Sequence, residues 1–357
     1  MSKSNVLNNK HTIRDAILIL EKKLSLIIPV LDDNDILIGI ITDGDIRRSI
    51  LKGYDISSNV CRIMNKNPIV VKDSDKYETK ISILKNNSKK AAPVLDIRGK
   101  FVEIFQPLSN VMENTSKEFI LNNLSGAFIM AGGEGKRLRP ITYKTPKPLI
   151  NINGQPVLKL ILKDLENYGV NKVFISVNYL KEKIIEHLKD KTYKNISFEI
   201  IKERKKLGTA GSLNFISSSV TDNILVLNGD IYTNCNYEKL LDYHIENKAD
   251  ITISVIEHYV KIPFGVFEMK DDKPVGIIEK PSKRFFSNAG IYIISNKLLN
   301  YIPQNKFYDM TDLIEKAINS KKNVSLFPLF EEWHDIGTKT QLREINKKFL
   351  KKTDYTL

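Results

Sequence analysis

The chain is poor in the residues that would mark a disulfide-built or metal-built domain: it has two cysteines, Cys61 and Cys235, and one tryptophan in 357 residues. Neither thiol has Cys or His neighbours at metal-ligand spacing, and the two fall in what read as different domains, which excludes a disulfide framework and a zinc knuckle. A reducing, cytoplasmic setting is the expectation. Long apolar runs are also missing. Ile27 to Leu31 and Ile224 to Leu227 have the length of strands, far short of the roughly 20 residues that cross a bilayer, so no membrane span is expected. The amino terminus, MSKSNVLNNKHTIRDA, has no apolar stretch before a small-residue cleavage site, which argues against a signal peptide. The five histidines, at 11, 187, 244, 258 and 334, follow no metal-binding pattern and read as surface or packing residues. Acidic residues are outnumbered, 42 against 55 basic, for a formal charge of +13. Basic runs interleaved with aromatics for stacking on bases are lacking. The excess therefore reads as a compositional bias shared with Asn and Ile, and nucleic acid is not an expected partner.

What is present begins with an internal repeat. Pro29-Val30-Leu31-Asp32 returns 64 positions later as Pro93-Val94-Leu95-Asp96, and Ile81 and Leu84 repeat Ile17 and Leu20 at the same interval. Thr12 to Leu24 carries apolar residues at Ile13, Ala16, Ile17 and Leu20, the spacing of one helix face. Asp33-Asn34-Asp35 and Ile97-Arg98-Gly99 are turn sequences between apolar strands. Each copy reads as helix, strand, turn, strand, helix. Together they form an α+β unit over residues 1–113, divided at about 58. The stretch 109–125 is polar and without period, which places a linker at 114–125 and a second domain at 126–357. In that domain strands at Lys172 to Asn178, Ile196 to Ile201, Asn223 to Leu227 and Val324 to Pro328 alternate with helical patterns at Pro156 to Tyr168, Tyr237 to Asn247 and Thr340 to Lys351. Such alternation predicts an α/β, Rossmann-like domain with a mostly parallel sheet, and ligands at the carboxyl ends of its strands.

The most informative stretch, AGGEGKRLRPITYKTPKPLI from Ala131 to Ile150, follows the apolar run Ala127 to Met130. Gly132, Gly133 and Gly135 let the backbone turn tightly and bring N–H groups to an anion. Arg137 and Lys147 add charge, and Lys136 stands beside them. No Gly-Lys-Ser/Thr closes the glycine run, so this is not the ATP-binding P-loop. Leu225 to Asp230 is an apolar strand ending in a carboxylate after Gly229; Asp335, near Gly337, follows the strand Val324 to Pro328. Two carboxylates at strand ends suit a magnesium ion shared with phosphate oxygens.

This order of motifs resembles the sugar-1-phosphate nucleotidyltransferases over residues 126 to 345, nearest their mannose-1-phosphate guanylyltransferase branch. The resemblance implies Arg137 and Lys147 as catalytic residues and Asp230 and Asp335 as metal ligands. It implies a nucleotide seat at Ala131, Gly132, Gly133, Gly135, Lys136, Glu203, Leu207, Gly208, Thr209 and Gly229. A sugar-phosphate seat follows at Glu279, Lys280, Asn288 and Gly290. Lys136 departs from the pattern, standing where many members carry a small hydroxyl residue. The repeat resembles a tandem pair of CBS domains, in which Thr42 and Asp45 would contact an adenine nucleotide. Gln106 and Ser109 occupy their places in the second copy, so one half-site survives, or the pair serves only to dimerise and space. A CBS pair ahead of such a domain resembles the guanylyltransferases that make GDP-glucosamine for legionaminic acid. The expected reaction joins GTP, or another NTP, to a sugar 1-phosphate with release of pyrophosphate. Thymidylyl or uridylyl transfer, and an inactive nucleotide-sensing regulator, stay open. A homo-oligomer is expected.

Overall fold

A computed structural model describes residues 5–22, 26–87, 89–107, 120, 122–189, 193 and 195–353. The chain divides into two compact units, Met1–Ser116 and Lys117–Leu357. The first copy of the repeat contains β1 (Leu7–Asn8), α1 (Ile13–Glu21), β2 (Ile28–Leu31), β3 (Leu37–Ile41) and α2 (Asp43–Leu51). The second contains β4 (Val71–Lys72), α3 (Tyr77–Asn86), β5 (Ala92–Leu95) and β6 (Phe101–Phe105). Each of these four starts 64 residues after its counterpart. The sheets run β1-β2-β3 and β4-β5-β6 in matching register, with Leu7 beside Val30 and Val71 beside Val94. The turn at the centre of each copy is closed by its first aspartate. Asp32 Oδ1 accepts the N–H groups of Asn34 and Ile36 at 2.9 and 2.8 Å, and Asp96 Oδ1 accepts those of Arg98 and Lys100, both at 2.8 Å. Helix α1 ends at Glu21, short of the expected Leu24. Leu24, the closing helix of the second copy with Ser109, and the linker residues 114–119 and 121 lie outside the described residues.

The second unit opens with β7 (Leu124–Met130), two residues ahead of the expected domain start. Ile120 just before it is buried in the same core, because an apolar side chain next to a buried strand gains by leaving water. After the hairpin β8 (Asn151–Ile152) and β9 (Gln155–Pro156) come α4 (Val157–Asn167), β10 (Lys172–Val177), α5 (Lys181–Leu188), β11 (Ser197–Lys202), β12 (Asn223–Asn228) and β13 (Ile231–Thr233). The chain continues through α6 (Tyr237–Glu246), β14 (Ile251–Lys261), β15 (Val266–Lys270), β16 (Lys273–Ile278) and β17 (Ser282–Ser295). It closes with α7 (Asn296–Leu299), α8 (Met310–Asn319), β18 (Val324–Pro328), β19 (Trp333–Asp335) and α9 (Lys339–Thr353).

Seven strands form one sheet in the order β11-β10-β7-β12-β17-β14-β18. It is mostly parallel, as the sequence pattern predicts; β17 alone runs against its two neighbours. Both faces are covered. Ala127 and Ile129 of β7 feed one core with Leu158, Ile161 and Leu165 of α4, while Phe128 points to the other, with Leu213, Leu313 and Ala317, the alternation a strand imposes. Helix α4 stops where Gly169 takes φ +84° and the Val170 N–H bonds the Leu165 carbonyl at 3.0 Å. Among the described residues no helix is long and apolar enough to cross a membrane.

Beyond the sheet, β14 and β17 continue as a pair, from Ile256 beside Ser287 to Lys261 beside Ser282, and carry the hairpin β15–β16. No residue from Ile256 to Asn288 is buried. This arm is a projecting element.

Under the sheet, the buried His244 of α6 bonds Thr252 Oγ1 through Nδ1 at 2.9 Å and Asn223 Oδ1 through Nε2 at 3.2 Å. The Asn223 oxygen can only accept, so Nε2 donates; burial favours the neutral ring, in which Nδ1 accepts from the threonine hydroxyl. Burial lowers its pKa from 6.5 to about 4, against the opposing pull of Asp250. The unfolded chain therefore takes up this proton at a higher pH than the folded one. The contribution of the neutral ring is whole above pH 6.5 and is lost as pH falls toward 4. Across that window, urea unfolding midpoints should drop more for the wild-type protein than for His244→Gln; equal drops would count against this role.

Candidate active site

Because β7, β10, β11 and β12 are parallel, their carboxyl ends share one edge. There the Ala131 N–H bonds the Ser176 carbonyl at 2.9 Å, that of Glu203 bonds Val177 at 3.0 Å, and that of Gly229 bonds Met130 at 3.0 Å. The glycine loop leaves this edge. A Cβ on Gly132 would lie 3.3 Å from Asn178 Cβ, whereas one on Gly133 would meet nothing within 4 Å, leaving that backbone open for a ligand. Gly135 takes φ +62°, and a Cβ there would lie 2.8 Å from Thr142 Cγ2 and 3.4 Å from Lys147 Cβ. Thr142, itself buried, donates to the Gly135 carbonyl at 2.9 Å, and Tyr179 donates to the Thr142 carbonyl at 2.8 Å. The loop is thus tied to the segment that carries Lys147.

The two aspartates meet through a pairing the sequence reading did not contain. Asp335 does not follow directly from β18; it ends its own three-residue strand, β19. This strand pairs with β13, Ile231 beside Asp335, and the Ile336 N–H bonds the Asp230 carbonyl at 3.1 Å. Asp230 and Asp335 therefore stand side by side. The Lys147 ammonium makes a tight ion pair with Asp230 Oδ2 and lies 3.7 Å from Asp335 Oδ1. Arg137 joins them at Gly337, where a Cβ would sit 2.6 Å from Asp335 Oδ2 and 3.1 Å from Arg137 Nη2. Burial lowers the Lys147 pKa; the Asp335 carboxylate opposes this and the Arg137 guanidinium reinforces it. The four residues expected at the phosphate end are gathered in one place. The described residues contain no cluster of three or more His, Cys, Asp or Glu side chains suited to a metal. A pair of carboxylates facing a cation fits magnesium, which binds through one or two carboxylates and completes its shell with substrate phosphates and water.

The remaining predicted residues separate. Glu203 is buried beside the loop: a Cβ on Gly132 would lie 3.5 Å from its Oε1, its carbonyl accepts from Asn178 Nδ2 at 3.2 Å, and burial raises its pKa. Leu207 is buried. Gly208, at φ +77°, and Gly211 press on the backbone of Tyr308 and Lys306, where a Cβ would come within 2.6 and 2.7 Å. The resemblance places Gly208 in the nucleotide seat; this packing gives a second, local reason for a glycine there. The Thr209 N–H and hydroxyl both bond Asp309 Oδ1, at 2.9 and 3.1 Å, and the hydroxyl accepts from the Met310 N–H at 2.7 Å, so Thr209 braces the start of α8.

Asn288 Oδ1 accepts the Gly290 N–H at 2.9 Å, and Gly290, at φ +71°, leaves room for the Asn228 side chain. This turn lies on the same edge, since β17 is antiparallel to β12 and Ile291 faces Leu227. Trp333 Nε1 donates to the Ala289 carbonyl at 2.9 Å and ties the turn to β19. Glu279 and Lys280 lie exposed on the arm, paired with each other at 3.7 Å. Lys136 is exposed and 3.6 Å from Glu134. In the first unit, Thr42 and Asp45 form a capping box at the start of α2, hydroxyl to carboxylate at 2.7 Å, as Thr12 and Asp15 do for α1. Sequence reasoning missed Glu134, Asn178, Asp309 and Trp333, each of which has a partner brought to it from a distant part of the sequence.

The nucleotidyl transferase family model matches residues 126–352, and the CBS domain model matches residues 1–52. The chain is 36% identical over 236 residues to the bifunctional protein GlmU of Methanococcus maripaludis, covering 63% of this chain and 54% of that protein. It is 26% identical over 220 residues to the mannose-1-phosphate guanylyltransferase of Mycobacterium tuberculosis, covering 59% and 61%. The chain thus spans little more than half the length of these curated relatives. HddC from Yersinia pseudotuberculosis is similar in structure, with a TM-score of 0.50, 27% identity, and coverage of 63% of this chain and 99% of that one. A crystal structure of HddC complexed with GMP-PN matches at 25% identity and the same TM-score and coverage.

Placing a methyl group at Gly290 forces it against Asn228 at positive φ, so Gly290→Ala should destabilise the second unit by about 1–3 kcal/mol. Chemical denaturation measures this, and a midpoint equal to wild type would contradict the geometry.

Proposed function

Given that the chain belongs to the nucleotidyl transferase family, we propose that it transfers a nucleotidyl group from an NTP to a sugar 1-phosphate and releases pyrophosphate. The observation that carries this reading is the meeting of Arg137, Lys147, Asp230 and Asp335 beside an open glycine loop at the carboxyl edge of the sheet. GTP is the first choice of nucleotide, supported by the relative named as a mannose-1-phosphate guanylyltransferase and by the HddC complex with GMP-PN. Glucosamine 1-phosphate is the first choice of acceptor, supported by the resemblance of a CBS-headed chain to the guanylyltransferases of legionaminic acid synthesis. The amino-terminal unit is read as a tandem CBS pair, either a dimerising module or the seat of one adenine nucleotide at Thr42 and Asp45.

The sugar phosphate is already ionised at neutral pH, so one of its oxygens attacks the α-phosphorus without a general base. A P–O bond forms to the sugar phosphate as the bond to the β-phosphate breaks, and the electron pair leaves with pyrophosphate. Two polyanions must be brought together, so positioning and charge neutralisation supply the rate; orientation alone is worth about 7–11 kcal/mol. The glycine loop and Gly229 hold the nucleotide by their backbones. Arg137 stabilises charge on the leaving phosphates, Lys147 steadies the α-phosphate, and Lys280 meets the sugar phosphate when the arm lies over the acceptor. Glu279, Asn288 and Gly290 contact the sugar. Magnesium bound by Asp230 and Asp335 would supply a polarised α-phosphate.

A matrix of GTP, ATP, UTP, CTP and dTTP against several sugar 1-phosphates, read by pyrophosphate release, tests the assignment; the GTP and glucosamine 1-phosphate pair should be fastest. AMP, ADP or ATP added to the best pair tests the CBS seat. Arg137→Ala and Asp230→Ala should each reduce kcat by roughly 10²-fold or more, and chelation of divalent cations should abolish turnover until magnesium is restored. Near-normal turnover in both variants would sink the proposal.

A further inference from the structure

The Glu134 carboxylate, in the middle of the glycine loop, is surrounded by cations from two separate segments. Its Oε2 lies 3.6 Å from Lys136 Nζ and 3.5 Å from Arg139 Nη2, and its Oε1 makes a tight ion pair with Lys206. Lys206 belongs to the loop that follows β11, which lies next to Leu207 and Gly208. The carboxylate side chain is 22% exposed, whereas Lys136, Arg139 and Lys206 are 66%, 39% and 64% exposed. One half-buried anion is therefore ringed by three cations that face solvent. The Lys206 contact holds the Glu134 carboxyl below the usual carboxylate range, with Lys136 and Arg139 adding to it. Three positive charges against one negative leave the cluster with unbalanced capacity for an anion. The loop backbone at Gly133 is open beside it.

We propose that Lys136, Arg139 and Lys206 form the seat for the terminal phosphates of the incoming nucleoside triphosphate, and that Glu134 holds this seat as an internal anion which the nucleotide displaces. The inference rests on the reading that the glycine loop binds an NTP, and adds to it two groups, Glu134 and Lys206, with opposite effects on affinity. Exposed ion pairs of this kind contribute little to stability because water screens them and long side chains must be ordered to form them. A polyphosphate brings three or four charges and many acceptor oxygens, and so outcompetes a single carboxylate. The displaced Glu134 leaves the loop free to move, and Lys206, swung onto phosphate, draws the loop after β11 toward the nucleotide. The device makes closure of that loop depend on the full triphosphate. A nucleoside monophosphate does not reach the three cations.

Binding of inorganic tripolyphosphate to the full-length protein, followed by calorimetry with GMP as the comparison ligand, tests this directly. Glu134→Gln should bind tripolyphosphate about fivefold more tightly, the scale of one competing charge at contact distance in water. Lys206→Met should bind it weaker by a similar factor, Lys206→Arg should match wild type, and GMP affinity should be unmoved in all three. Weaker or unaltered tripolyphosphate binding by Glu134→Gln would make the carboxylate a loop brace and overturn the proposal, as would equal losses for GMP and tripolyphosphate in Lys206→Met. The assay does not depend on turnover. If these shifts appear in a protein that releases no pyrophosphate, the polyphosphate seat stands and the transfer reaction falls; turnover without the shifts removes the seat alone.

Discussion

The Lys147 ammonium, drawn out of water between Asp230 and Asp335, joins three parts of the chain: the segment after the glycine loop, the end of β12, and β19. A buried cation is tolerated only while its carboxylates stay in place, because removing one partner leaves an uncompensated charge. The constraint runs outward from there. It requires the β13–β19 pairing that sets Asp335 beside Asp230, the Gly337 position that admits Arg137, and the Thr142 contact that anchors the loop. On the proposed reaction, a phosphate arriving at this edge meets charges already gathered and partly shielded from water, so less reorganisation is left to perform.

The fold was legible where periodicity is strong. The repeat could be read because Pro-Val-Leu-Asp recurs at a fixed interval and each aspartate closes the same turn. The parallel sheet could be read because its buried strands are continuous Val/Ile runs. Asp230 was visible as a carboxylate closing such a run. The neighbourhood of Asp335 was not, since a three-residue strand has no period and its partner lies about a hundred positions away. Thr209 shows a different limit. The resemblance placed it in the nucleotide seat, while its hydroxyl serves Asp309 and Met310. Glu134 was passed over because its neighbours in sequence account for two of its cations, and Lys206, the third, is brought in only by the fold.

The amino-terminal unit makes the same point with one residue pattern. Thr-x-x-Asp occurs at Thr12 to Asp15 and at Thr42 to Asp45, and in both places the side chains satisfy the first backbone groups of a helix. A motif read as nucleotide contact is thus also a helix start. The two roles share the same atoms, so a ligand at Thr42 and Asp45 would draw on groups that now hold α2 in place.

The projecting arm divides the molecule's freedom unequally. From Ile256 to Asn288 no residue is buried, so neither core of the second unit depends on the identity of a fully enclosed side chain in this segment. Apart from Ile256 and Phe286 at its base, which pack against the two cores, substitutions there escape the packing penalty that constrains the glycine loop and the two aspartates. In the proposed site the phosphate end is bound to the architecture, as are Asn288 and Gly290, whereas Glu279 and Lys280 on the exposed arm are loosely coupled to it. On the proposed reaction, a chain built this way can acquire a different acceptor by drift along its arm while the residues proposed to handle the triphosphate are inherited unchanged.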